Sequence, residues 1–138
     1  MRSSNVQHGE ISKDDCVYIS NNVVNSSNVN IGDIIVVVRN GSRNLIGKHA
    51  QIKVNMPNTV IGAFMTGIRA KDSNFINALL STQLFESEIN KNMGATINQI
   101  TGYMFANMEF YIPKNKEQLN IGKLFLNIDN LITLHQYN

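Results

Sequence analysis

The sequence predicts an α+β fold, a β-rich first part followed by helices, the last of them able to pair with a further helix. Three observations carry this. Up to about residue 68, short apolar runs are split by turn residues, with glycines at 32, 41, 47, 62 and 67. From residue 72 onward the apolar period lengthens from two to about 3.6. Near the end, Ile121, Leu124, Ile128 and Leu131 occupy the a and d sites of a seven-residue repeat, and Phe125 and Ile132 widen that stripe. A chain of 138 residues that is 43% hydrophobic and 16% charged forms one core without a disulfide or metal.

The elements follow in order. Cys16-Val17-Tyr18-Ile19 is rich in β-formers and predicts a strand. Ser20 to Asn28 has room for one short helical turn. Ile34 to Val38 is an unbroken β-branched run after Gly32-Asp33, the pattern of a strand buried on both faces. Asn40-Gly41 is a hairpin signal. Ala50 to Val54 alternates, Met56-Pro57-Asn58 turns, and Thr59 to Met65 predicts another strand. Asp72 or Ser73 then caps a helix that the spacing of Phe75, Ile76, Leu79, Leu80, Leu84, Phe85, Ile89 and Met93 carries to a stop at Gly94. A polar loop spans residues 95–102, and Met108 to Ile112 alternates like a strand closed by Pro113. A helix from about Glu117 to about His135 ends the chain. Residues 1–113 thus form one unit, with a helix over about 72–93, and residues 114–138 a spacer or pairing helix.

Charge is segregated. Arg39, Arg43, Lys48, Lys53, Arg69 and Lys71 fall between residues 34 and 71 with no Asp or Glu among them, and both flanks carry a net negative charge. A cationic block of this kind suits a polyanion, the alternative being a solvated face paired with acids from elsewhere in the fold. Arg39-Asn40-Gly41-Ser42-Arg43-Asn44 concentrates donors at the expected hairpin tip. Arginine pairs with guanine O6 and N7, asparagine with adenine N6 and N7, and serine or backbone N–H groups take phosphate.

Catalytic readings find little support. Cys16 is a lone cysteine in an apolar run, the setting of an inert packed thiol. His8, His49 and His135 lie in separate segments without metal-ligand spacing, and Asp14-Asp15 and Glu86 with Glu88 are adjacent carboxylates of a solvated surface. From Gly41 to Gly47-Lys48 is one residue too long for a phosphate loop. No apolar run is long enough to cross a membrane and the polar opening is unlike a secretory signal, so a cytoplasmic protein without a membrane partner is expected.

Several short motifs occur in a specific order. Arg2-Ser3-Ser4-Asn5-Val6 precedes Gly9-Glu10-Ile11, then come Gly32-Asp33-Ile34-Ile35 and Ile46-Gly47-Lys48. Gly94 to Ile100, Met108 to Pro113, Glu117-Gln118, Ile121-Gly122-Lys123, Phe125, Asp129 to Ile132 and Leu134-His135-Gln136 follow. Together these resemble a target-recognition domain of the specificity (S) subunits of type I restriction–modification systems. The resemblance implies a β-rich DNA-recognition module followed by helices that pair as a hairpin or coiled coil. It implies double-stranded DNA and the modification (methyltransferase) subunit as partners, no cofactor in this chain, and S-adenosylmethionine and ATP bound by partner subunits.

The chain departs from that family's pattern in having one recognition domain, a missing opening segment and a last helix that stops early, as in a truncated domain. On this reading Arg39, Asn40, Ser42, Arg43 and Asn44 contact bases or phosphates, and Lys48, Lys53, Arg69 and Lys71 neutralise phosphates. Thr96, Asn98 and Gln99 add polar contacts, and Ile121, Leu124, Phe125, Ile128, Leu131 and Ile132 pack on a partner helix, of a second copy, of another S-subunit half or of the modification subunit. The alternative is a remnant that associates through its last helix without reading DNA.

Overall fold

The β-branched run becomes the centre of the protein. A computed structural model describes residues 1–136, and Tyr137 and Asn138, the end of the expected 114–138 helix unit, lie outside the described residues. A short hairpin pairs β1 (Val6–Gln7) with β2 (Glu10–Ile11) across His8 and Gly9, whose φ angles of 52° and 76° give the left-handed turn that such hairpins favour. Next, β3 (Ile34–Val37) lies between β4 (His49–Gln51) and β5 (Met65–Ile68), antiparallel to both. All four β3 residues are buried, as both neighbours and both faces are covered.

The helices then cover the sheet. Ser73–Leu80 forms α1, capped by Asp72, and Gln83–Asn92 forms α2, capped by Thr82. Gly102–Ala106 forms α3 and Asn115–Gln136 the long α4. The sheet and α2 share one core of Ile34, Ile35, Val36, Val37, Ile52, Phe85, Ile89 and Ile100. Met108 and Phe110 pack against it from the extended segment before α4. The first half of α4 crosses α1 at Gly122, which is buried; the absent side chain is what lets the helices approach this closely.

Several expectations are corrected. Val17, Tyr18 and Ile19 are exposed and form no strand, because among the described residues no strand runs beside them to take their ladder bonds. Cys16 is exposed rather than packed. The Asn40-Gly41 hairpin is replaced by a longer connection over residues 38–48 that holds a 3-10 turn at Arg43–Leu45. Asn40 spends its side chain on the Ser42 N–H and on Ser3, and the left-handed residue is Gly47 (φ 88°), whose N–H donates to the Val37 carbonyl. The strands expected over 50–54 and 59–65 contract and shift to β4 and β5. Residues 59–64 are instead fixed by loop bonds, including the N-terminal amine to the Val60 carbonyl.

The helix expected over 72–93 breaks at Ser81-Thr82. Both hydroxyls donate back to carbonyls of α1, and the Thr82 hydroxyl oxygen then accepts the Phe85 N–H in the first turn of the new helix. The break turns Phe85 and Ile89 into the core and leaves Leu84 outside. α2 ends at Asn92, before Gly94. Met108 to Ile112 alternates in burial yet pairs with no strand, with Tyr111 and Ile112 exposed. The expected polar loop ends in α3, started by the Thr101 cap. The 3-10 turn at Asn21–Val23 and the span of α4 agree with the sequence reading.

Candidate nucleic-acid interface

The two polar loops singled out in the sequence meet beyond the C-terminal end of β3. The Ile100 N–H donates to the Val38 carbonyl at 2.8 Å, Arg39 pairs with Gln99 in an isolated antiparallel bridge, and the Asn40 N–H donates to the Asn98 carbonyl. The Asn98 amide donates to the Gly41 carbonyl at 3.0 Å, and the Arg43 guanidinium donates to the Gly94 carbonyl at 2.8 Å. Residues 38–44 and 94–100 are therefore one polar surface, with exposed Thr96 within it and exposed Lys48 at the same end of the sheet, just before β4.

Within this surface the side chains divide. Asn40, Arg43 and Asn98 are used in holding the loops together. Arg39, Ser42, Asn44, Lys48, Thr96 and Gln99 make no side-chain hydrogen bond among the described residues, which leaves their polar groups for a ligand. The Arg39 guanidinium carbon lies 5.0 Å from the centre of the Phe64 ring. Sequence reasoning missed Phe64, placed in an expected strand, and Ser3, which receives the Asn40 amide. The sequence carried no signal that set Phe64 apart, because an aromatic after Gly62-Ala63 is equally at home in the strand expected there.

The other cations are elsewhere. Arg69 donates twice to the buried Asp33 carboxylate, at 2.8 Å each, and Lys53 pairs with Glu10 at 2.5 Å. Asp33 and Lys71 stand at the opposite end of the sheet from Arg39; six residues of extended chain, roughly 20 Å, separate positions 33 and 39. The acid-free block is thus not acid-free in space, because carboxylates from the preceding segment reach two of its six cations. The Arg69 hydrogen bonds hold the Asp33 carboxyl below its usual range against the opposing effect of burial, helped by the Asn30 N–H.

A cleft of about 440 Å³ opens between the loops and the α1–α2 junction, lined by Arg43, Asn44, Lys48, His49 and Ser81. His49 sits between the Gly47 carbonyl at 3.1 Å and the Ser81 hydroxyl at 3.0 Å, and burial pushes its imidazole below the usual histidine range. Cys16 opens onto a separate groove of about 830 Å³ with no histidine among its lining residues. Among the described residues no three His, Cys, Asp or Glu side chains gather as metal ligands, and no helix is long and apolar enough to cross a membrane.

On α4, Ile121 is half-buried and Leu124, Phe125, Ile128, Leu131 and Ile132 are exposed, so the stripe beyond Gly122 has no cover among the described residues.

Comparison with known proteins bears on this arrangement. A family profile described as "Type I restriction modification DNA specificity domain" matches residues 2–138. The chain is 27% identical over 128 residues to the type I restriction enzyme StySPI specificity subunit of Salmonella potsdam, and 28% identical over 128 residues to the type I restriction enzyme EcoKI specificity subunit of Escherichia coli K12. Each alignment covers 89% of this chain and 27% of the relative, so the chain spans about a quarter of the length of the curated relatives it matches.

Proposed function

The chain belongs to the type I restriction modification DNA specificity domain family, and from that premise we propose that it binds double-stranded DNA and reads part of a target sequence on behalf of methyltransferase and endonuclease subunits. The observation that carries the reading is the joining of residues 38–44 to residues 94–100 into one surface whose outward side chains are unspent. Arg39 reads a base edge, with Ser42, Asn44, Thr96 and Gln99 contacting neighbouring bases or phosphates. Asn40, Arg43 and Asn98 brace the loops. Lys48 neutralises a phosphate. Lys53, Arg69 and Lys71, expected from the sequence to neutralise phosphates, take no phosphate in this scheme, since they lie toward the far end of the sheet and two of them already pair with carboxylates.

The chain performs no chemistry of its own on this reading, and S-adenosylmethionine and ATP are handled by partner subunits in the cytoplasm. Residues 114–138 act as the arm. Leu124, Phe125, Ile128, Leu131 and Ile132 pack on a helix of the modification subunit or of a second recognition chain. Their exposure is what supports this.

The test is a pair of substitutions read on DNA. Arg39→Ala costs about 1–3 kcal/mol at one base position and little elsewhere. Lys48→Ala weakens all sequences alike and flattens the salt dependence by about one unit. Equal, salt-independent affinity in both variants rejects the assignment. A chain that associates through α4 yet shifts no duplex at low salt favours the remnant reading instead.

A further inference from the structure

The protein has four arginines, and three have their guanidinium donors occupied. Arg2 donates to the Asp15 carboxylate, Arg43 to the Gly94 carbonyl and Arg69 to the Asp33 carboxylate. Arg39 alone makes no such bond among the described residues; it lies over the Phe64 ring instead. The contact is fixed at its root as well, because the N–H groups of Val38 and Arg39 both donate to the Phe64 carbonyl, at 2.9 and 3.2 Å. Phe64 is 47% exposed, so its ring is not there to fill the core. An aromatic face orients a guanidinium while consuming none of its N–H donors.

We propose that Phe64 is a specificity-determining residue that acts through Arg39: its ring holds the guanidinium over the loop surface with its donors open for the O6 and N7 atoms of a guanine. This rests on the DNA-reading function above and adds the base class and the residue that positions its reader. Phe64 is a positioning residue, and leucine in its place keeps apolar bulk while removing the π face. Tyrosine keeps both.

The probe is a pool of randomised DNA duplexes, bound to the full chain at low salt and sequenced from the bound fraction. The unmodified chain enriches guanine at one position, and Arg39→Ala erases that preference, a loss of about 5- to 150-fold. Phe64→Leu lowers the same preference about 2- to 5-fold while leaving other positions and the salt slope unchanged. Phe64→Tyr restores it. Phe64→Met replaces the leucine variant if that one does not fold. A guanine preference lost in Arg39→Ala but intact in Phe64→Leu overturns the role of Phe64 and leaves the proposed function standing, as does an equal loss at every position. An unmodified chain that enriches no sequence overturns both. Proton spectra give a check independent of DNA: the ring current of Phe64 moves the Arg39 side-chain resonances upfield, and Phe64→Leu returns them. Arg39 resonances at their ordinary position in the unmodified chain also overturn the inference.

Discussion

Replacing Gly122 tests how the arm is attached to the recognition module. A Cβ at this position would lie 2.8 Å from the Phe75 nitrogen, 3.0 Å from the Asn74 Cβ and 3.1 Å from Asp72 Oδ1. All three atoms belong to the start of α1, and Asp72 Oδ1 is the cap that accepts the Phe75 N–H. Backbone cannot swing aside as a side-chain tip does, so α4 has to lift. Overpacking of this kind costs about 1–3 kcal/mol. Alanine returns about 1 kcal/mol through helix propensity. The expected net loss for Gly122→Ala is therefore about 1 kcal/mol, or about 3–5 °C in Tm for a domain of this size. Gly122→Val adds two more methyl groups at the same contact and recovers less propensity, for a loss of about 2–3 kcal/mol. Urea and thermal unfolding followed by circular dichroism measure both, and amide exchange in the first turn of α1 reports the docking itself. Helix propensity alone predicts the opposite sign, with both variants more stable than the parent. That outcome would refute the close-approach argument.

Other consequences are as direct. Asp33→Ala leaves the Asn30 N–H without its acceptor and Arg69 without its partner; a loss of about 1–2 kcal/mol is expected in urea unfolding, discounted because Arg69 is exposed. The Asp33 carboxyl has a lower pKa folded than unfolded, so its contribution is complete above the unfolded value of about 3.9 and is lost as pH falls toward the folded value. Asp33→Asn flattens that acid limb of the stability curve. The His49 imidazole is also lowered in the folded state, so stability falls as pH drops below about 6.5, and His49→Gln removes this dependence in pH-resolved melting. Leu124→Lys with Ile128→Lys breaks the exposed stripe of α4; light scattering at high concentration reads a mass above 15.4 kDa for the parent and a monomer for the variant.

What the sequence revealed depended on how local the deciding forces were. Ile34 to Val37 was legible because a β-branched run with no polar interruption can only be buried on both faces. The length of α4 was legible because its apolar period and the Pro113 that precedes it are local signals. Ser81-Thr82 carried the signal for the helix break in their paired hydroxyls, but core burial of Phe85 decided it. Cys16 to Ile19 and Met108 to Ile112 have strand composition and no neighbouring strand, a fact about pairing that composition does not contain. For the site, both loops were legible as polar segments, whereas their joining through Asn40, Asn98 and the Arg39–Gln99 bridge is a long-range contact. Phe64 was hidden for the same reason: its partner lies twenty-five positions earlier in the chain, across the pairing of β3 with β5.

The partition of charge gives the DNA-reading proposal its most quantitative consequence. Along the sequence, six cations between residues 34 and 71 suggest one basic field. In space, Arg39, Arg43 and Lys48 lie at one end of β3, while at the other end Asp33 takes Arg69, Glu10 takes Lys53, and Lys71 lies just before the Asp72 cap of α1. The separation of roughly 20 Å along the strand exceeds the screening length of about 8–10 Å at physiological ionic strength, so the far cations add little at the loops. Each phosphate neutralised contributes about −0.9 to the slope of log affinity against log salt. Lys48 alone gives a slope of about −0.9, the three cations at the loops set a ceiling of about −2.7 if Arg39 and Arg43 also meet phosphates, and all six would give about −5.4. Between 50 and 200 mM salt, the ceiling for the loops and the six-cation slope correspond to losses of about 40-fold and about 2,000-fold. A titration of duplex binding over that range distinguishes them. A slope no steeper than about −3 that Lys53→Ala and Arg69→Ala leave unchanged supports recognition at the β3 end alone. A slope near −5 means that the duplex runs the length of the sheet, that DNA displaces Glu10 and Asp33 from their partners, and that the division drawn here between readers and bystanders is wrong.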